Sequence, residues 1–571
     1  MKNIIEKLNI ILSSKDKLRL TYLSTLSIFA SLADVLSIGL LIPLLGSIIN
    51  NDNLIYIDFV NKFFNDINTE NFLEFILFIF ILLVVLKNLF QIFFNYTSTK
   101  FLINVNQSIQ RKLYLNYINK EYWKLANIHT SDIFKDIDYE SSVFTNGLLN
   151  SVLVISANLI LFISFTTFLF LYNFKITLII NMTALVLIYI FKFFLFKKIK
   201  KWGYERQTLQ KNYTKTLKET FDVIREIKLL KIHKYFIKIF KENLMGLKSN
   251  GIKKSFVASL TRPIIEVTFL LLFVIIVIIE IENPENLIIN LGIYSAIAFR
   301  LMPSINIMLS SYQKIKSSVS SLSRIEEATV IYNNFNQATP ENKEINFKKD
   351  IKLKDISIKH FENDEFILQN INLNIDCGMK IGIMGTSGSG KTTLLNNIIG
   401  FMKPDLGQIL IDNVPLKNNL IESWQKLISY VPQNVVLFDK SLLENITLSF
   451  NKNLNSSETE RFNKAISFAQ LKSLREKLDK TGQFVGEMGS KISRGEAQRI
   501  GIARAIYMNC KILILDESTN FLDEKTEKNF LDIVKNQMDG ITVLFVSHKR
   551  ESLQICDNIY RINNKKIEKI K

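Results

Sequence analysis

The sequence predicts a membrane protein in two parts: an all-α, six-helix transmembrane domain with long cytoplasmic helix extensions, followed by an α/β P-loop domain. Three observations carry this. Six apolar segments fall in the first half, near 20–49, 72–95, 150–172, 176–196, 264–281 and 286–309, each close to the ~20 residues a spanning helix needs. Basic residues crowd the long segments between some of them. The second half alternates short β-branched runs with helical stretches and carries a glycine-rich phosphate loop.

With 571 residues the chain is too long for one ordinary domain. Its 48% hydrophobic content suits a membrane half joined to a soluble half. The net charge of +18 would fit nucleic acid, anionic lipid or positive cytoplasmic loops. Its distribution decides for the last, because Lys and Arg border the apolar runs. The segments 97–149 and 192–263 are long and basic. Those near 50–71, at 172–175 and at 280–285 are short and acidic or neutral. Positive charge stays inside, so both termini are expected in the cytoplasm of a bacterial plasma (inner) membrane. Each long inner segment folds back once, near Tyr122–Ile133 and near Thr216–Ile227. Nucleic acid is not an expected partner. Cys377, Cys510 and Cys556 have no metal-ligand spacing and read as reduced core thiols. Lys2, Lys7, Lys15, Lys17 and Arg19 precede an apolar run too long for a cleaved leader. The expected division is 1–329 for the membrane domain, 330–350 for a polar linker with Pro340, and 351–571 for the α/β domain.

The strands expected in the second half include Ile381–Met384, Leu427–Val431, Lys511–Leu515 and Ile541–Val546. Gly385, Thr386, Ser387, Gly388, Ser389, Gly390, Lys391, Thr392 and Thr393 follow the first of them and open the helical stretch Leu394–Ile399. Glycines let backbone N–H groups wrap phosphates, Lys391 offers a charge to the β- and γ-phosphates, and Thr392 offers a hydroxyl to Mg²⁺. The run Ile512-Leu513-Ile514-Leu515 ends in Asp516 and Glu517. The first acid suits Mg²⁺, and the second is placed to polarise water for attack on a γ-phosphate.

Residues 350–571 resemble the ABC ATPase family. Gln433 in Tyr430-Val431-Pro432-Gln433 matches the Q-loop, which the resemblance gives a role at Mg²⁺. Ile492-Ser493-Arg494-Gly495-Glu496 matches the signature segment, and Val485-Gly486-Glu487-Met488-Gly489 the short loop before it. Asp523 matches the D-loop aspartate and His548 the switch histidine at the γ-phosphate. Arg494 and Glu496 depart from the usual LSGGQ, whereas Ser493 and Gly495 remain. The adenine-stacking aromatic is His360 or Phe361. The resemblance implies ATP and Mg²⁺ as cofactors and an exporter half of the ABC transporter type. It further implies a homodimer, or a heterodimer, because each signature completes a partner's ATP site.

Asp34, Lys87, Glu266 and Arg300 fall within the apolar segments, and Arg262 near the inner end of the fifth, where ionisable groups are costly and functional. At about 1.5 Å per residue, Lys87 lies ~24 Å and Arg300 ~21 Å below the outer helix starts. With Arg262 they are expected to meet an anionic phosphate or diphosphate headgroup. Glu266 is placed to pair with Arg262, and Asp34 to pair with a basic residue or to bind substrate hydroxyls. Phe299-Arg300-Leu301-Met302-Pro303-Ser304 and Tyr312 resemble PglK-type flippases for lipid-linked oligosaccharides. Ile55–Ile67, with Tyr56, Phe59, Phe63 and Phe64, would form an external amphipathic helix. The resemblance implies a lipid-linked substrate, a polyprenyl-diphosphate oligosaccharide, moved to the outer leaflet. The alternatives are export of another lipid, a drug or a peptide, or an ATPase without transport. Residues 1–18 leave no room for a peptidase domain, which disfavours peptide export.

Overall fold

The computed structural model describes residues 2–39, 69–194, 196–280, 284–337, 344–359, 365–450, 454–486 and 489–571. His360, Phe361 and the segment Ile55–Ile67 lie outside these residues. So do Glu487 and Met488 of the loop before the signature. The described chain forms two compact units. The first is Met1–Lys120 with Leu125–Ala338, and the second is Glu121–Lys124 with Thr339–Lys571.

The first unit is all helix. Among the described residues five helices are long and apolar enough to cross a membrane: Leu77–Ile118, Thr130–Tyr172, Phe174–Phe191, His233–Ile279 and Leu291–Glu327. The first expected span begins in the helix Ser14–Gly39 and leaves the described residues there. The helix Thr69–Ile118 exposes Phe78, Ile81, Leu82, Val85, Leu86 and Leu89. That surface would be intolerable in water and is native to lipid, where a helix satisfies its own backbone. Inward, Phe144, Leu148, Leu149 and Leu322 pack against Phe101 and Val105. Phe165, Leu169, Ile176, Ile293 and Ile297 form a second apolar cluster.

The helix extensions are present. The first breaks around the short helix Tyr122–Ala126, as the sequence predicts. The second continues to Asp222 and turns back through Ile224–Leu230, later than expected. Lys231 ends that short helix in a left-handed conformation, φ 55°. Lys135–Glu140 and Val143–Leu149 are π-helical, a rare geometry that is concentrated at functional sites. Pro263 and Pro303 each lie inside a long helix that runs on past them, where each removes one backbone N–H donor. Close by, Thr261 donates to Asn306 at 2.6 Å and ties the two helices together.

The second unit is α/β. An antiparallel sheet runs in the order β2 (Phe366–Asp376), β1 (Asp350–Lys359), β4 (Leu406–Ile411), β5 (Val414–Pro415). The core sheet runs β10 (Lys566–Lys569), β9 (Asn558–Asn563), β3 (Lys380–Gly385), β8 (Thr542–Val546), β7 (Ile512–Asp516), β6 (Ile428–Val431). From β9 to β6 its neighbours are parallel, and β10 closes it antiparallel. The apolar runs are buried on both faces, as a parallel sheet requires. Leu513, Leu515, Val543 and Phe545 face one core. Ile512, Ile514, Leu544, Val546, Ile381 and Ile383 face the other. Each such side chain contributes about 1.5–3 kcal/mol by leaving water.

Candidate ATP site and membrane charge cluster

Four adjacent parallel strands, β3, β8, β7 and β6, end on the same edge of the core sheet. This is the edge where open α/β sheets bind ligands. β3 runs into the phosphate loop, β8 into Ser547 and His548, β7 into Glu517, and β6 into Pro432 and Gln433. Topology alone therefore gathers residues that stand more than 150 positions apart.

The loop's geometry requires its glycines. Gly388 and Gly390 hold φ of 79° and 99°, conformations that L side chains adopt only at a cost. A Cβ on Gly385 would meet Ser389 Oγ at 2.5 Å, and one on Gly390 would meet Leu368 at 2.9 Å. Gly390 then opens the helix Lys391–Ile399, whose N-terminus carries partial positive charge. Lys391 is buried and donates to the carbonyls of Gly385 and Thr386, both at 3.0 Å. Burial pushes its pKa below the ordinary lysine value, against the pull of Glu517 and Asp516. Ser389 Oγ is buried without a hydrogen-bond partner among the described residues. A cationic amine, an unused hydroxyl and a helix N-terminus in one cradle fit a phosphate chain.

Glu517 is the hub. Its Oε1 lies 2.6 Å from His548 Nε2 and 3.9 Å from Lys391 Nζ. Its Oε2 accepts from Gln433 at 2.7 Å and from Asn520 at 3.2 Å. Glu517 sits at φ 50°, in the left-handed region, the kind of strained backbone that clusters at active sites. Asp516 beside it is buried and accepts from Tyr430 at 3.0 Å. Desolvation raises the Asp516 pKa above the ordinary aspartate value, and the Tyr430 bond works against that rise. Tyr430 and Asn520 were not singled out from the sequence. Tyr430 lies three residues before Gln433, but only the pairing of β6 with β7 brings it to Asp516.

Thr392 is exposed just inside the helix, and Gln433 is exposed above Glu517. No group of three His, Cys, Asp or Glu able to hold a metal ion occurs among the described residues. One hydroxyl, one amide and one carboxylate are a set of oxygen donors that suits Mg²⁺ completed by phosphate oxygens and water.

Ser493, Gly495 and Asp523 form a separate group. Ser493 caps the helix Arg494–Tyr507 in a capping box: Glu496 N–H donates to Ser493 Oγ at 3.2 Å, and Ser493 N–H to Glu496 Oε2 at 2.7 Å. Glu496 therefore has a structural task at the position where the family carries Gln. The Arg494 guanidinium lies 5.6 Å over the Phe521 ring. Gly495 packs on Phe521, where a Cβ would meet its carbonyl oxygen at 2.9 Å. Asp523 caps the next helix, Glu524–Gln537, and accepts from Thr526 N–H at 3.0 Å. Bonds from Thr526 lower its pKa.

In the membrane unit, Asp34 lies between Lys87 and Arg300. Lys87 Nζ is 2.7 Å from its Oδ1, and Arg300 Nη2 donates to Oδ1 and Oδ2 at 2.7 and 2.6 Å. The three residues come from three helices. Arg262 pairs with Glu266 at 2.8 Å, as their four-residue spacing predicts. That pair, with Phe269, Phe273, Phe299 and Met302, lines a cavity of about 640 Å³. The basic residues thus occur in two places, each with an acid.

Residues 368–520 match the ABC transporter family model, and residues 22–280 match that of the ABC transporter transmembrane region. The chain is an ABC half-transporter, a membrane domain fused to an ABC ATPase. It is similar to a putative export ATP-binding/permease protein of Rickettsia bellii, 26% identical over 85% of this chain and 84% of that protein. An ATP-dependent lipid A-core flippase of Bordetella avium is 34% identical over 37% of this chain and 35% of that one. A solved bacterial Atm1-family ABC exporter with ATP bound shares the fold at TM-score 0.78, covering 97% of this chain and 95% of that one at 15% identity. This half-transporter hydrolyses ATP coupled to transport and works with ATP and Mg²⁺.

Proposed function

We infer that the chain is one half of a homodimeric exporter of the bacterial inner membrane, with both termini cytoplasmic. Its substrate is an amphipathic anionic lipid moved from inner to outer leaflet, with a polyprenyl-diphosphate-linked oligosaccharide the reading that fits best. The carrying observation is a charge cluster carried by apolar helices: among the described residues Lys87 and Arg300 share the one Asp34 carboxylate, which leaves that set of three with one positive charge. Arg300 Nε is buried with no hydrogen-bond partner among the described residues. An anionic headgroup answers both. The cavity beside Arg262, walled by Phe269, Phe273 and Phe299, offers an apolar companion surface.

In the ATPase unit we assign phosphate binding to Gly385–Thr393, and Mg²⁺ to Thr392, Asp516 and Gln433. Bound Mg²⁺ would neutralise charge on the β- and γ-phosphates. Glu517 takes a proton from the water that attacks the γ-phosphorus as the bond to the ADP oxygen breaks. His548, with its proton on Nε2, orients Glu517. Ser493, Gly495 and Asp523 lie apart from this cluster and serve the partner's site. His360 or Phe361 stacks on adenine.

The flippase relative favours a second reading, a phosphorylated glycolipid of the lipid A kind. ATP turnover of the full chain in lipid, with and without a polyprenyl-diphosphate glycan, tests the first. Stimulation that Arg300→Leu abolishes supports it. Turnover indifferent to that lipid and to Arg300, but raised by lipid A-core glycolipid, replaces it with the second.

A further inference from the structure

The Asp34 cluster has a definite charge arithmetic. Among the described residues two cations, Lys87 and Arg300, face one carboxylate, so this set of three carries one net positive charge. It is drawn from the helices Ser14–Gly39, Thr69–Ile118 and Pro284–Gln337. The side chains of Asp34 and Lys87 are 5% and 15% exposed, and Arg300 keeps 39% of its side chain accessible. Asp34 is therefore the interior member and Arg300 the outward face. Without Asp34 the same pocket would hold two neighbouring cations, one of them largely buried, and no counterion, a costly arrangement. With it, the pocket presents one unit of charge through the guanidinium.

That arithmetic bears on which anion is preferred. Attraction to the pocket grows in proportion to ligand charge times pocket charge. The cost of stripping water from the ligand grows with the square of its own charge, and it is large in an apolar medium. A pocket of one net charge therefore repays desolvation of a monoanion better than that of a dianion. Doubling the pocket charge moves the balance toward the dianion.

We propose that Asp34 is a resident counter-anion that sets this site to one negative charge, so that it selects a phosphodiester monoanion over a phosphomonoester dianion. The proposal rests on the anionic-lipid reading above and refines its substrate class. In a diphosphate bridge between lipid and sugar the two charges sit on separate phosphates, so the one phosphate held at the guanidinium is singly charged and meets the condition. A terminal phosphate dianion does not. Specificity of this kind works by refusing the wrong ligand as much as by holding the right one.

Two probes with the same tail decide it: geranylgeranyl monophosphate, dianionic at pH 8.5, and its methyl phosphodiester, a monoanion. ATP turnover of the full chain in lipid nanodiscs is titrated with each, and geranylgeraniol is the uncharged control. For wild type the diester is expected to reach half-maximal stimulation at a concentration about ten-fold lower. Asp34→Asn is expected to reverse that order. Lys87→Met cancels the net charge and is expected to lose the response to both anions. Asp34→Asn with Lys87→Met returns the charge to one and is expected to recover the diester preference, which a purely structural role for Asp34 does not predict. A diester-to-monoester ratio that is the same in wild type, in Asp34→Asn and in the double variant overturns the proposal and leaves anionic transport standing. Wild type that responds to neither anion, or equally to geranylgeraniol, overturns the anionic reading and this proposal with it.

Discussion

Glu517 and His548 meet at 2.6 Å, Oε1 to Nε2, at the ends of the adjacent parallel strands β7 and β8. The register that pairs Asp516 with Val546 puts Glu517, one residue past β7, and His548, two residues past β8, just beyond the sheet edge. There the carboxylate can accept a proton while the imidazole fixes its direction. Glu517→Gln keeps the size and hydrogen bonding of this hub and removes the proton acceptor. ATP turnover should fall ~10²–10⁴-fold with nucleotide binding retained. Turnover assays paired with a nucleotide-binding titration check this. Turnover within a few-fold of wild type would remove Glu517 from the role of base.

Asp516 trades stability for binding. Its pKa is raised in the folded protein, chiefly by burial. A group raised above its unfolded value stabilises the fold while protonated, below the unfolded pKa, and that contribution is lost as pH rises through the folded pKa. At neutral pH the charge of Asp516 is therefore a cost. Asp516→Asn, which can still accept from Tyr430, should melt higher than wild type at pH 7, with the gap closing toward pH 4. The same variant should bind Mg²⁺-ATP more weakly, by about ten-fold or more, a loss of at least ~1.4 kcal/mol. Thermal unfolding against pH and a nucleotide titration read the two effects separately. A lower melting point at pH 7 would contradict the argument.

Glu496 should tolerate its family counterpart. Gln at the third position of the helix also closes a capping box with Ser493, so Glu496→Gln should change stability by less than about 0.5 kcal/mol. Ser493→Ala removes the acceptor for Glu496 N–H and should cost ~1 kcal/mol. Thermal melts of the two variants distinguish these outcomes. An equal loss in both would mean that the charge of Glu496, and not the box, holds the helix start.

What was legible in the sequence follows chain contiguity. The phosphate loop is one run of nine residues whose chemistry fixes its spacing, so it could be read directly. The four parallel strands were legible as apolar runs because burial on both faces removes the polar alternation, and each ends at its functional residue. Tyr430 was missed as a site residue because its bond to Asp516 depends on which strands are neighbours. The double pairing of Asp34 joins residues 266 positions apart, and no local pattern marks it. The antiparallel sheet of β2, β1, β4 and β5 was not singled out either. Its strands alternate buried and exposed residues with bulges between Leu353 and Ile356 and between Lys354 and Ser357, which blurs the period of two. The π-helical turns keep a helical composition and differ only in their bonding.

Those turns carry the last prediction. Glu140 ends the first of them and is fully buried, with Arg206 Nη2 at 3.2 Å and the Ser321 hydroxyl as a second donor. Arg206 also donates to Ser321 at 3.1 Å, so three helical segments are tied at one carboxylate. A buried ion pair adds little net stability, but breaking it from one side strands a charge and costs about 3–5 kcal/mol. Arg206→Met should therefore lower the melting temperature of the membrane unit sharply. Replacing both partners, Arg206→Met with Glu140→Gln, leaves a neutral amide that Ser321 can still serve and should recover most of the loss. The comparison separates charge from packing, because the methionine is present in both variants. If the double variant melts as low as the single one, the guanidinium contributes through its packing, and the ionic account of this junction fails.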